Sequence, residues 1–192
     1  LLALHEAERQ GIAGPKQTCQ TAYAYWSNRQ SGTGGWSYDS SFGPTPTVSM
    51  TCAGIASLVI TRGKQVDLQS HLVDGEIQCC GDVTTNDQIE KGLKWLARHI
   101  RVGSNTFTKD ASYFYYMYCI ERVGRLTGKR YLGTTDWYRT GCEFIVRLQD
   151  SLRGSWTGSL AHGEHQPAVA TSFALLFLSK GRRPVAISKL KY

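Results

Sequence analysis

The chain has 192 residues, 41% hydrophobic and 19% charged, with 22 Lys and Arg against 15 Asp and Glu. That length and composition suit one domain or part of a larger one, and exclude collagen, a disordered tail and a disulfide-dense mini-protein. The net charge of +7 raises nucleic acid or an anionic surface as partners, so its place in the chain matters.

The chain opens on LLALHEAERQG. Leu1, Leu4 and Ala7 fall at helical spacing, and Gly11 is placed to stop the helix. The stretch lacks an initiator Met, a basic n-region and a long apolar run, so it is not read as a signal peptide. The expectation is a chain that begins inside a helix, as a fragment of a longer protein.

A spaced pattern then occurs twice. Tyr25-Trp26 is followed by Gln30, Gly34 and Trp36; Phe144-Ile145 is followed by Gln149, Gly154 and Trp156. A third, weaker copy lies between them, with Trp95-Leu96, Ile100, Gly103 and Asn105. Each copy is predicted to close an amphipathic helix. In the middle copy Ile89, Leu93, Leu96 and Ile100 form one apolar face, opposite Glu90, Lys91, Lys94 and Arg98. In the last copy Gly141, Phe144, Ile145 and Leu148 form the stripe. The glycine suits a helix C-cap, Gln supplies a donor and an acceptor, and the Trp is expected to cover that amide and keep its contacts dry.

A second kind of helix follows each copy, at Val48–Thr61, Ala111–Leu126 and Pro167–Lys180. These segments are apolar nearly all round, so they are expected to be buried on both sides. Strands are weaker expectations, at TPTVSM (45–50) and in the Tyr run at 113–118. Loops rich in Gly, Ser and Pro span 31–46 and 151–167, and an irregular stretch spans 64–86.

The six cysteines show no CxxC or zinc-finger spacing. Cys79-Cys80 is open to a redox reading. Cys52, Cys119 and Cys142 fall in helical apolar patterns and are read as buried thiols. From His165 to Tyr192 there is no acid, while Lys180, Arg182, Arg183, Lys189 and Lys191 supply +5, leaving +2 for the rest. The basicity is therefore mainly a C-terminal segment, read as a solvated tail or a contact with an anionic surface or partner. No recognition motif or basic-aromatic interleaving points to nucleic acid. No apolar run is long enough for a transmembrane segment.

The Gln-x3-Gly-x-Trp closure, with an apolar helix after it, resembles the repeats of terpene cyclases and of protein prenyltransferase β subunits. The stretches GGWSYDSSFGPTPTVSMTCAGIASLVITRG and WYRTGCEFIVRLQDSLRGSW followed by AVATSFALLFLSKGRRP carry the resemblance. It extends over most of the chain and is nearest to bacterial squalene-cyclase-like proteins. It implies an all-α fold, an α/α-toroid of inner and outer helices. About three to four helical hairpins are present, a partial or open barrel over residues 1–180, with a basic segment at 181–192.

The chemistry of the resembled enzymes does not transfer as a whole. Cyclases of the protonating kind carry an Asp-rich motif before a Thr on an inner helix, where crowded carboxyls keep one protonated. Neither Thr47–Thr51 nor Pro167–Thr171 holds an Asp. A triterpene-cyclase-type isomerase would need an acid from upstream of Leu1. Prenyltransferase zinc uses Asp, a Cys two residues on and a distant His. Asp110 matches, but Ser112 and Ala170 replace the others, so no metal or cofactor is expected. Thr140-Gly141-Cys142-Glu143-Phe144 matches a thioester motif only in part, and that reading is rejected.

The remaining site candidates are bare residue types. Asp110 could cap an inner helix or act as an acid. His162, Glu164 and His165 could bind metal or move protons, or form a polar loop. Tyr113, Tyr116, Phe173 and Phe177 could line an apolar, isoprenoid-like ligand through cation–π contacts, or serve simply as core packing. Glu121 beside Arg122 is read as a structural ion pair or a contact at the barrel end rather than as a catalytic group. A non-catalytic, protein-binding scaffold is the other reading of the same repeats.

Overall fold

The computed structural model describes residues 1–14, 16–38, 45–62, 71–73, 76–78, 87–103, 112–160 and 163–179. These form seven helices and two short hairpins. The helices are α1 (Leu2–Arg9), α2 (Lys16–Asn28), α3 (Val48–Arg62), α4 (Asp87–His99), α5 (Tyr113–Thr127), α6 (Trp137–Arg147) and α7 (Pro167–Leu178). The hairpins pair β1 (His71–Val73) with β2 (Glu76–Gln78), and β3 (Tyr131–Leu132) with β4 (Thr135–Asp136). The chain is therefore predominantly helical. No helix of the described residues is long and apolar enough to cross a membrane.

The described residues fall into two compact units. One comprises Leu1–Arg101 with Arg122–Trp137; the other comprises Val102–Glu121 with the described residues from Tyr138 onward. In the first unit α3 packs against both α2 and α4. Its core holds Trp36, Ile55, Leu58, Leu96 and Trp137. In the second, Phe114, Met117, Ile120, Ile145, Trp156 and Phe177 are buried.

Each unit contains one copy of the same clamp. The last turn of a helix leaves carbonyls without helical partners. In the first unit the indole N–H of Trp36 donates to Trp26 O of α2 at 2.8 Å. The backbone N–H of Trp36 donates to Thr51 Oγ1 of α3 at 3.1 Å, 15 residues on. In the second unit Trp156 Nε1 donates to Ile145 O of α6 at 2.7 Å, and Trp156 N to Thr171 Oγ1 of α7 at 3.1 Å, again 15 residues on. One Trp thus ties the end of an amphipathic helix to the first turns of the apolar helix that follows it. The turn passes through Gly34 at φ +98° or Gly154 at φ +67°, backbone that side-chain-bearing residues rarely adopt. Trp36 also lies against α3 at Gly54, where a Cβ would overlap its ring.

The Gln of the motif behaves differently in the two units. Gln30 Nε2 donates to Gly34 O and to Gln88 O of α4, both at 2.8 Å, and Gln88 Nε2 returns a bond to Ser27 O. Gln149 Nε2 donates to Gly154 O at 2.7 Å and is exposed. The expectation of a dry amide holds in neither full form: Gln30 is half-buried, and Gln149 lacks a covering helix among the described residues. The middle closure uses other groups. Ile100 is buried where Gln would stand. His99 Nδ1 lies 2.7 Å from Trp95 O, and Arg101 Nη1 donates to Arg98 O and Ile100 O. Cationic side chains at a helix C-terminus also suit its dipole. Trp95 is buried, stacks on His99 at 3.9 Å, and packs at Gly35. Asn105 lies outside the described residues.

Other expectations are corrected. TPTVSM forms no strand: Thr47 accepts the Met50 N–H at 3.2 Å as the cap of α3, and Val48 opens the helix. The Tyr run is helical within α5. Helix α3 is buried nearly all round, but α7 buries only Ala170, Ala174 and Phe177, and α1 buries none of its residues. Gly11 does stop α1, at φ +82°. Cys52 and Cys119 are buried thiols, while Cys142 is half-buried. Cys79-Cys80 and the basic segment 181–192 lie outside the described residues.

The two Gln residues make a graded test. Gln30→Ala removes two bonds and a link to α4, and should cost about 1–3 kcal/mol, whereas Gln149→Ala removes one exposed bond and should cost at most about 1 kcal/mol. Urea unfolding of both variants measures this; equal losses would contradict the asymmetry. In the same turn Asp150 Oδ1 accepts the N–H groups of Leu152 and Arg153 at 2.9 and 3.0 Å. These bonds hold its carboxyl below the usual aspartate range. Its contribution is therefore present above the ordinary aspartate pKa and lost as pH falls through the depressed one. An NMR titration of Asp150 should give a midpoint below that of an unstructured aspartate.

Candidate functional site

Helices α5 and α7 carry most of the aromatic residues in the second unit. Their phase decides which rings are packed inside. Tyr113 is buried against Phe144 of α6, ring centroids 5.1 Å apart, and against Phe114 at 5.6 Å. Burial, then Tyr116, pushes the Tyr113 phenol above its usual range, opposed by the Gly103 backbone. Tyr116 is buried, and Phe177 is buried against Tyr138 at 5.6 Å. Three of the four residues expected to meet a ligand, Tyr113, Tyr116 and Phe177, are therefore core residues. A helix with aromatics on every side must turn some toward its neighbours, and these are the ones.

The fourth, Phe173, belongs to a different group. It meets Tyr115 at 5.7 Å, edge-on, and Tyr118 at 5.4 Å, tilted. Tyr115 is 37% exposed, and Tyr118 and Phe173 are half-buried. Such edge-to-face and tilted contacts leave ring faces available. Ser172 and Leu176 of α7 flank Phe173 in sequence and are exposed. Tyr115 and Tyr118 belong to the aromatic run but do not stand out from it in the sequence. Their i, i+3 spacing within α5 is a signal, but five aromatics in six positions obscure which stripe is open. Cys119, one turn after Tyr115, is pushed up to about 11 by burial, against a side-chain hydrogen bond from Tyr115.

Within the His-Glu-His segment, Glu164 has a structural role. Glu164 is fully buried. Its Oε1 accepts the Tyr115 N–H at 2.7 Å and its Oε2 the Phe114 N–H at 3.3 Å. These are among the N-terminal donors that α5 leaves unpaired, and a carboxylate there also meets the positive end of the helix dipole. Glu164 O in turn accepts the Gly158 N–H at 2.7 Å. Glu164 thus caps α5 from about 50 residues away and fixes the turn that carries Tyr115. His165 is exposed beside it. His162 and Asp110 lie outside the described residues. Glu121 is buried in α5. Among the described residues no three His, Cys, Asp or Glu side chains come together as a metal site.

Compared with known proteins, the chain matches no family model, no curated protein and no solved structure.

The cap has a measurable signature. Glu164→Gln keeps one carbonyl acceptor but loses the charge, and should cost about 1–2 kcal/mol. Amide exchange at Phe114 and Tyr115 should speed up, while exchange at Trp36 in the other unit stays unchanged. Unchanged exchange at both amides would remove Glu164 as the cap.

Proposed function

We propose that the chain is a repeat domain of the terpene-cyclase-like α/α-toroid type, and that it binds an apolar, isoprenoid-like ligand on the aromatic face of its inner helices. The observation that carries this reading is the Tyr115–Tyr118–Phe173 group. Three rings on two inner-type helices stay partly open while neighbouring rings on the same helices are buried. Ring faces of this kind suit polyene chains, whose own surface is apolar and polarisable. The alternation of amphipathic and apolar helices, and the twice-used Trp clamp, support the toroid part of the reading. The proposal concerns binding and assigns no reaction. The residues around the group supply hydroxyls and a high-pKa thiol, with Glu164 engaged by backbone N–H groups.

Squalene or a shorter isoprenoid alcohol, added in detergent-matched buffer, should raise the melting temperature and change tyrosine fluorescence. Tyr118→Ala and Phe173→Ala should each raise Kd by about tenfold or more, the loss for one buried ring face. Tyr25→Ala, in the other unit, should leave Kd unchanged. No shift at saturating ligand would overturn the binding role.

A further inference from the structure

The joint between successive repeats is built the same way twice. Gly34 closes the first repeat, and a Cβ there would lie 2.7 Å from Lys91 O of α4. Gly103 closes the second, at φ +78°, and a Cβ there would lie 3.2 Å from Thr140 Cγ2 of α6. Lys91 and Thr140 are equivalent, each standing just before the glycine that the two outer helices share. Those glycines make the other half of the joint. A Cβ on Gly92 would lie 2.9 Å from Ile55 Cγ1 of α3, and one on Gly141 2.6 Å from Met117 Cε of α5. Ile55 and Met117 are both fully buried. Each outer helix therefore lays the same turn on the closing glycine and inner helix before it.

The third closure has the same parts without that cover. Among the described residues only Gln149 Nε2, at 3.9 Å, comes near a Cβ placed on Gly154. Leu175 stands in α7 where Ile55 stands in α3, four residues after the clamping threonine, yet it is 53% exposed. Leu152, in the turn between Gln149 and Gly154, is 96% exposed.

Helix α2 carries the missing half. Counting back from Trp26, as from Leu96 and Ile145, Thr21 takes the place of Lys91 and Thr140, and Ala22 that of the shared glycine. Thr21 and Thr18 are exposed, and Tyr25 is 47% exposed. Arg29 lies over the Tyr25 ring at 4.7 Å at the end of this face, while Thr18, Thr21 and Ala22 carry no charge that docking would strand.

We propose that α2 of a second copy of this chain docks on the Gln149–Gly154 closure and Leu175, in the register that α4 and α6 use within the chain. Thr21 would meet Gly154, and Ala22 would meet Leu175, whose exposed side chain can yield to the one extra methyl. The contact is head-to-tail: each copy offers two different faces, so association runs on to a ring or a chain.

Sedimentation velocity of the full chain, up to about 1 mM, should show concentration-dependent association. Ala22→Glu breaks the leading face and Leu175→Glu the trailing face, each weakening association by about 100-fold or more. Neither position is buried, so melting temperatures should hold. Mixing the two variants should restore a 1:1 complex, because each retains the face the other lacks. A wild type that stays monomeric overturns the proposal, as when the chain's own residues cover the face. So does association that survives either substitution, or a mixture that remains monomeric.

Discussion

The hydrogen bond from a tryptophan indole to the last turn of an amphipathic helix organises the structure. It supplies a donor to Trp26 O and joins the Leu148 N–H on Ile145 O, and the same residue's backbone N–H binds a threonine on the following apolar helix. Two helices are thereby tied by one residue. The arrangement demands a burial site for a large ring, which explains the glycine at the first contact. Gly54 in α3 stands three residues after the clamping threonine, and a Cβ there would overlap the Trp36 ring; Ala174, at the same place in α7, is fully buried. A tight turn follows from the same demand, because the chain must reverse within a few residues of the helix end.

The middle repeat shows which part of this device is replaceable. It has Ile100 in place of Gln, and it holds its helix end with His99 and Arg101 instead. The requirement is that the last carbonyls of α4 find donors, and imidazole or guanidinium serves as well as amide or indole. The positive-φ glycine is retained at Gly103, where the next outer helix packs. Capping chemistry drifts between repeats, while the glycine that admits the neighbouring helix does not.

The helices and their order are legible in the sequence because periodicity reports burial directly. Ile89, Leu93, Leu96 and Ile100 mark the packed face of α4, and the unbroken apolar run of α3 marks a helix with neighbours all round. The limit of that signal appears at α7, whose sequence is as apolar as that of α3 but whose Leu175 and Leu176 are exposed. Composition states what a surface can bury, not what is there to cover it. The Glu164 cap was hidden for another reason. Its acceptor and donors are separated by about 50 residues, and a Glu in a polar loop next to two histidines has the composition of a catalytic site. The phase of α5 was hidden as well. With aromatics at 113–116 and 118, no hydrophobicity contrast distinguishes the face of Tyr113 from the face of Tyr115.

Glu164 links stability to the candidate site. A carboxylate buried without donors would carry a large desolvation cost, and here the first turn of α5 supplies them. The loop that carries Glu164 is therefore anchored to α5, and it leads directly into α7 through Pro167. One end of each aromatic helix is held by the same short segment. Tyr115 sits within the capped turn and Phe173 two turns into α7, so the spacing of their rings depends on a buried charge rather than on direct ring packing alone. Under the proposed binding role, a polar anchor at the edge of this group would leave its ring faces free to vary with a ligand. The Trp clamps, set at the opposite kind of helix end, carry the fold independently of that variation.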